Sequence, residues 1–329
     1  MILAGDIGGT HARLAFFEAS NGRLNLVNEE AFPSRDYPGL EEIVSNFVHK
    51  KSMGVDAACF GIAGPVRNGR AQVSNLPWVV ESSRLASELN LRSTFLINDL
   101  EANAWGIGGL DRSDSKVLNA GASCAQGNQA VIAAGTGLGE AGMFWDGKQH
   151  QVFACEGGHG DFGPRNALEV ELLRYLMDKF GRVSCERVLS GPGLVNIYNF
   201  LRDTGRGEEP QWLAEKLAAG DAAATISKAG LDGTSPLCEQ ALDMFVSIYG
   251  AEAGNLALKL FATGGVFVSG GIAPKILPKI TGKSFLDAFV DKGRMRPLLE
   301  AIPVYVVLNE NIGLFGAARC AAIRTSRLI

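Results

Sequence analysis

Several short segments of the chain combine residue types and spacings that could do chemistry. Asp6-Ile7-Gly8-Gly9-Thr10 places a carboxylate at the end of an apolar run, then a turn without side chains, then a hydroxyl. Glycines let an anionic group approach the backbone, and turn N–H groups can point at phosphate oxygens. Thr10 can donate to the same anion, and Asp6 can hold a metal ion through water. Ala134-Gly135-Thr136-Gly137-Leu138-Gly139 repeats this logic with Thr136 and Gly137 at its centre. Ser269-Gly270-Gly271-Ile272-Ala273-Pro274 follows an expected strand and precedes an expected helix, a place where nucleotides sit. None of these matches G-x-x-x-x-G-K-[ST], so a P-loop is excluded. Distributed over both halves, they point to one nucleotide held in a cleft between two domains. The first two also read as plain hairpin turns that need positive φ.

Asn98-Asp99 falls at the C-terminal end of an expected buried strand, where ligands meet α/β sheets. A carboxylate there can accept a proton from a substrate hydroxyl during phosphoryl transfer. It can equally cap the helix that follows. Glu156-Gly157-Gly158-His159-Gly160-Asp161 packs two acids and an imidazole into a glycine-rich turn. That density points to a polyol or sugar site, with an ordinary surface loop as the alternative. Glu186 has the same two faces, ligand or helix N-terminal acid. Asp161 has no assigned role. Cys155, His159 and Cys185 lack the second closely spaced pair that a zinc site requires, so no zinc is expected.

These residues need strands and helices to position them. Ile2–Asp6, Ala12–Glu18 and Leu24–Phe32 read as strands. Leu40, Ile43, Val44, Phe47 and Val48 follow helical spacing, with Pro38 ahead and Glu41 and Glu42 in the first turn. Val55–Ile62 and Thr94–Asn98 read as buried strands, with helices over Ser83–Leu89 and Leu100–Gly106. A second unit begins near Leu110, after Gly106, Gly108 and Gly109. It opens with the strand Ala130–Ala134, a Gly/Thr turn and the return strand Ala141–Trp145, repeating the layout of the N-terminus. Helices are expected at Ala167–Phe180, Leu194–Arg202 and along a stripe from Leu242 to Leu260. Val266–Ser269 and Val304–Leu308 are strands, and Gly313–Ile323 is the last helix. The whole reads as mixed sheets covered by helices.

Composition narrows the class further. The chain has 329 residues, 41 of them glycine, with 31 Lys+Arg against 35 Asp+Glu. That near balance argues against a dedicated nucleic-acid binder. An apolar fraction of 47% with 20% charged residues is globular rather than low-complexity. The six scattered cysteines contain no C-x-x-C pair and read as free thiols in a reducing compartment. The longest uncharged run, Val117 to Gly139, is broken by polar residues and glycines, so no membrane span is expected. Asp6 arrives too early for a signal-peptide core, and a cytoplasmic location follows.

Taken together, these residues resemble the bacterial-type ATP-dependent glucokinases of the hexokinase and actin-like ATPase superfamily. The likeness rests on Gly5–Thr10 with Arg13, Ile97-Asn98-Asp99-Leu100, Ala134–Gly139, Glu156–Phe162, Val183–Leu194 and Gly264–Ile272, in family order from the first strand to the last helix. It implies two RNase H-like α/β domains, with the active site in the interdomain cleft. It further implies a small domain of residues 1–109 plus 310–329 and a large domain of residues 110–309. Asn98, Asp99, Glu156, His159 and Glu186 would bind D-glucose, with Asp99 the base toward the 6-hydroxyl. Gly8, Gly9, Thr10, Thr136 and Gly137 would face the ATP phosphates, Asp6 the Mg²⁺ shell through water, and Gly270 and Gly271 the adenosine. The related repressor/open-reading-frame/kinase group carries a cysteine-rich zinc loop that this chain lacks, so His159 is expected to contact sugar. No room precedes Asp6 for that group's DNA-binding domain. A homodimer is what the resemblance suggests. Alternatives are a kinase for another hexose or an N-acetylhexosamine, and a non-catalytic sugar-binding regulator.

Overall fold

The structure is a computed structural model that describes residues 1–51, 54–91 and 93–328. It divides into two compact units, one of residues 1–113 with 309–329 and the other of residues 114–308.

The first unit is built on β1 (Ile2–Ile7), β2 (His11–Ser20) and β3 (Arg23–Pro33), joined as antiparallel neighbours. After α1 (Leu40–Lys51), β4 (Ala57–Ile62) pairs parallel to β1. Short strands β5 (Val66–Arg67), β6 (Arg70–Gln72) and β7 (Val79–Glu81) form a separate small sheet. Then α2 (Ser82–Glu88) leads to β8 (Thr94–Asn98), parallel to β4, and on to α3 (Asp99–Ile107). The main sheet has the order β3-β2-β1-β4-β8. Every residue of β4 is buried, as a strand covered on both faces must be. On one face α1 inserts Leu40, Ile43, Val44 and Phe47, and the Phe47 ring stacks on Phe16 at 4.8 Å.

The second unit starts with β9 (Ser115–Asn119), β10 (Gln129–Ala134), β11 (Leu138–Trp145) and β12 (His150–Cys155). Helices α4 (Ala167–Phe180), α5 (Gly191–Asp203), α6 (Gln211–Ala219), α7 (Ala222–Leu231) and α8 (Pro236–Leu260) follow. Next come β13 (Gly265–Ser269), α9 (Leu277–Ile280), α10 (Lys283–Val290), α11 (Arg296–Glu300) and β14 (Val304–Val307). The sheet order is β12-β11-β10-β13-β14-β9, with β10, β13 and β14 parallel. Its first five strands repeat the plan of the first unit's sheet, an antiparallel run of three followed by two parallel additions. The apolar stripe on α8 is buried, with Leu242, Phe245, Val246, Tyr249, Ala253, Leu256 and Ala257 in the core. Gly250 and Gly254 let the backbone of α10 lie against α8 at Phe285 and Phe289.

The last helix, α12 (Ile312–Arg324), belongs to the first unit and packs on α3 and on β1. Gly316 lies against the carbonyl of Ala102, and Gly106 against Ile312, so neither position has space for a Cβ.

Most expected elements form within a residue or two of their anticipated ends. The structure adds β5–β7, β9, β12, α6, α7 and the short helices between residues 277 and 300. Strands of two or three residues lie below any periodic signal, and β12 is too exposed to read as a buried strand. The helix expected after Ser269–Pro274 is short: residues 270–276 form turns and α9 begins at Leu277 with four residues. Among the described residues, no helix is long and apolar enough to cross a membrane.

Candidate active site

In the first unit the ends of the parallel strands β1, β4 and β8 gather the expected residues. Asp6 faces Arg13 across the β1–β2 ladder, and Arg13 Nη2 donates to Asp6 Oδ2 at 2.8 Å. The same guanidinium reaches Asn311 Oδ1 at 2.9 Å, tying the turn to the start of α12. Gly8 and Gly9 do not have the positive φ that a plain hairpin would need. Gly9 is a glycine for space: a Cβ there would lie 2.8 Å from the Ser74 carbonyl oxygen. Ser34 Oγ donates to the Gly8 carbonyl at 2.9 Å, and the neighbouring Thr10 is exposed.

The structure separates the roles of Asn98 and Asp99. Asn98 is the N-cap of α3, accepting from Leu100 N at 2.8 Å, while Glu101 Oε2 accepts from Asn98 N at 3.1 Å. This capping box satisfies two helix-end donors reciprocally. Asn98 Nδ2 also donates to the Gly64 carbonyl at 3.1 Å, so the side chain is held from both ends. Asp99 is therefore the first helical residue. Its Oδ1 accepts from Leu100 N at 3.0 Å and its carboxylate is half-buried. Gly61 on β4 allows this, since α3 passes over it at the Asp99 backbone and Ala102.

In the second unit Glu156, His159 and Glu186 come together although 30 residues of chain separate the first and last. His159 Nε2 lies 3.9 Å from Glu156 Oε2, and His159 Nδ1 lies 4.0 Å from Glu186 Oε1. Gly157–His159 forms one turn of 3₁₀ helix laid on β11, with Gly158 against the Leu138 carbonyl. Glu186 does a second job. Its Oε2 accepts from Leu138 N at 3.1 Å, and a Cβ on Gly137 would sit 2.5 Å from that oxygen. Asp161 is exposed and bound to Arg182 Nε at 2.8 Å, and it bridges to Ser184, so it fastens this loop to the segment bearing Glu186.

The parallel strands β10 and β13 bring Gly135–Gly137 and Gly270–Gly271 to one end of the sheet. Gly270 has φ +86°, and a Cβ there would lie 2.5 Å from the Ala134 carbonyl, so this position accepts little but glycine. Beneath both turns lies Tyr249, fully buried, whose hydroxyl accepts from Ala134 N at 3.1 Å. It lies 3.3 Å from the Ser269 carbonyl and 3.4 Å from that of Ile132. Burial raises its pKa well above the ordinary tyrosine value, which keeps it a neutral hydrogen-bonding group.

A cavity of about 850 Å³ opens beside these turns, lined by Gly135, Thr136, Gly191, Gly271, Lys275 and Asp221 among others. Its far wall, Asp221 to Asp232, was not legible in the sequence. That wall is Asp221, three alanines, Ser227, Lys228, Leu231 and Asp232, and the signal it offers in sequence is Asp221 as the cap of α7, accepting from Ala224 N.

A hairpin-led mixed sheet, built once in each unit, with glycine turns and acids at the strand ends, defines an α/β kinase of the actin-like ATPase fold. The chain matches the profile of the Glucokinase family over residues 3–324, and it belongs to that family. It is similar to a glucokinase of Nostoc sp., 48% identical over 338 residues, with 98% of this chain and 99% of that one covered. Among solved structures it resembles a glucokinase from an Antarctic psychrotroph with a TM-score of 0.84 and 30% identity, covering 98% of each chain. A ROK family glucokinase from Streptomyces griseus, solved in complex with glucose and AMPPNP, has a TM-score of 0.66 and 25% identity, covering 98% of this chain and 99% of that one.

Proposed function

We propose that the protein transfers the γ-phosphoryl group of ATP to the 6-hydroxyl of D-glucose, with Asp99 as the general base. One observation carries this reading. Thr136 lines the cavity, Gly137 touches Glu186, and Glu186 lies 4.0 Å from His159, so a nucleotide-sized space and a cluster of hydroxyl-binding groups share a single turn.

In this reading Glu156, His159 and Glu186 bind sugar hydroxyls together with Asn98, whose cap geometry fixes its orientation. Asp99 takes the hydroxyl proton as the phosphoryl group leaves ADP. The turns at Gly8–Thr10 and Thr136–Gly137 present N–H and hydroxyl donors to phosphate oxygens, where preorganised donors stabilise developing charge. Gly270 and Gly271 border the nucleoside. Asp6, anchored by Arg13, would hold a water in the shell of an Mg²⁺ carried on the ATP phosphates. When bound, that ion neutralises phosphate charge. Six free cysteines suit a cytoplasmic setting.

The test is a coupled ADP-release assay with ATP across glucose, mannose, fructose and N-acetylglucosamine. Glucose is expected to give the highest kcat/KM, and preference for another sugar would overturn the substrate assignment. Asp99→Asn should lower kcat by about 10²–10⁴-fold. Near-parental turnover in that variant would remove Asp99 as the base.

A further inference from the structure

Beneath the sugar-side turn lies a buried carboxylic acid that the reading above leaves unused. Glu140 stands on β11 opposite Cys155 and is 1% exposed. Its Oε2 packs on Gly157 so tightly that a Cβ at that position would overlap it. Its Oε1 is buried and has no hydrogen-bond partner among the described residues. Gly157 on Glu140 and Gly158 on the Leu138 carbonyl are thus the two points at which the Glu156–His159 turn rests on the strand.

Charged and titratable groups face Glu140 from each element around it. From α8 come Glu252, 5% exposed, and Lys259, whose Nζ lies 3.3 Å from Glu252 Oε1. Asn255 Nδ2 donates to the other oxygen of Glu252 at 2.8 Å. The end of β12 contributes Cys155 and the next 3₁₀ turn Cys185, while Glu156 and His159, the other titratable groups of this loop, face each other at 3.9 Å. Lys259, the cation that offsets Glu140, is engaged by Glu252, which also feels the charge of Lys292 just after α10. Burial, and then the negative charge of Glu252, push Glu140 up to about 7 against the opposing pull of Lys259. Burial also raises both thiols, Cys185 to about 12, so neither ionises in the same range.

We propose that Glu140 is a positioning residue for the sugar site: its neutral acid seats the Glu156–His159 turn, and its ionisation loosens that turn and weakens sugar binding. This rests on the reading of that turn as sugar-binding. An ionised Glu140 would leave a charged oxygen buried without a partner, a costly state. Lifting the turn, with Gly157, off Glu140 would relieve it by admitting water. The released proton goes to solvent, and no bond to substrate is involved.

The experiment compares glucose KM, ATP KM and kcat between about pH 6 and 8.5 for the parent and Glu140→Gln, an amide of the same shape with no proton to lose. Glucose KM of the parent should rise about fivefold above pH 7, while that of E140Q stays level and ATP KM follows the same course in both. Parallel glucose-KM profiles would overturn the proposal. If E140Q does not fold, Glu252→Gln replaces it. Removing that charge should move the inflection of the parent profile to lower pH, and an unmoved inflection counts against Glu140. A parent that turns over no hexose at any pH refutes the functional reading and this proposal with it. Turnover with parallel profiles refutes the proposal alone.

Discussion

Tyr249→Phe removes one oxygen atom from the interior of the second unit and leaves the ring packing intact. The ring sits edge-on to Phe245 and Phe285, with centroids 6.0 and 5.8 Å away, and phenylalanine keeps both contacts. What disappears is the acceptor for Ala134 N–H at 3.1 Å and the donor beside the Ser269 and Ile132 carbonyls. Depriving a buried group of its hydrogen-bond partner costs about 1–3 kcal/mol. In a unit of this size that lowers Tm by about 2–4 °C per kcal/mol, hence by about 2–12 °C. The functional effect follows from position. Ala134 and Ser269 are the last residues of β10 and β13, and the turns at Gly135 and Gly270 begin immediately after them. Loosening both strand ends should raise ATP KM severalfold and change glucose KM less. Differential scanning calorimetry and steady-state kinetics at saturating glucose read the two effects. A parental Tm with a parental ATP KM would show that the hydroxyl does not hold these turns.

Glu186→Ala should raise glucose KM by about 5- to 150-fold, the equivalent of losing about 1–3 kcal/mol from a hydroxyl contact. Because the same carboxylate holds Leu138 N, ATP KM should rise as well. A change in ATP KM alone would reduce Glu186 to a support for the turn. The raised pKa of Glu140 also has a sign for stability. In the folded state the acid binds its proton up to about pH 7, whereas the unfolded chain releases it near 4.5. Stability from this group is full below about pH 4.5 and is lost as pH rises through about 7. Between pH 5.5 and 8 the parent should therefore lose about 2 kcal/mol relative to E140Q in urea titrations. A constant difference across that range would contradict the burial argument.

Legibility differed between the two half-sites for physical reasons. The Asp6–Thr10 and Asn98-Asp99 segments are short in sequence and end strands whose apolar runs are unmistakable, so type, spacing and element pointed the same way. Which of Asn98 and Asp99 caps α3 was not legible. Both are good caps, and the choice depends on Glu101 and on the Gly64 carbonyl that receives Asn98 Nδ2. The glycines at positions 8, 9, 135 and 137 were visible as turns, but none has positive φ, and at Gly9 and Gly137 the reason for glycine is close contact with Ser74 and Glu186.

The residue types, their order and the apolar periods by themselves determined the family, the strand-and-turn plan and the set of acids and glycines proposed to meet ligands. Those are local properties, set by composition and by backbone geometry over a few residues. Tertiary structure alone decided that Glu186 meets Gly137 and His159, that Tyr249 ties two strand ends, that α7 walls the cavity and that Glu140 lies under Gly157. Each of these joins residues far apart in the chain, and each depends on burial. A carboxylate reads alike at any position in a sequence, and only its neighbours and its distance from water make it a ligand, a clasp or a buried acid.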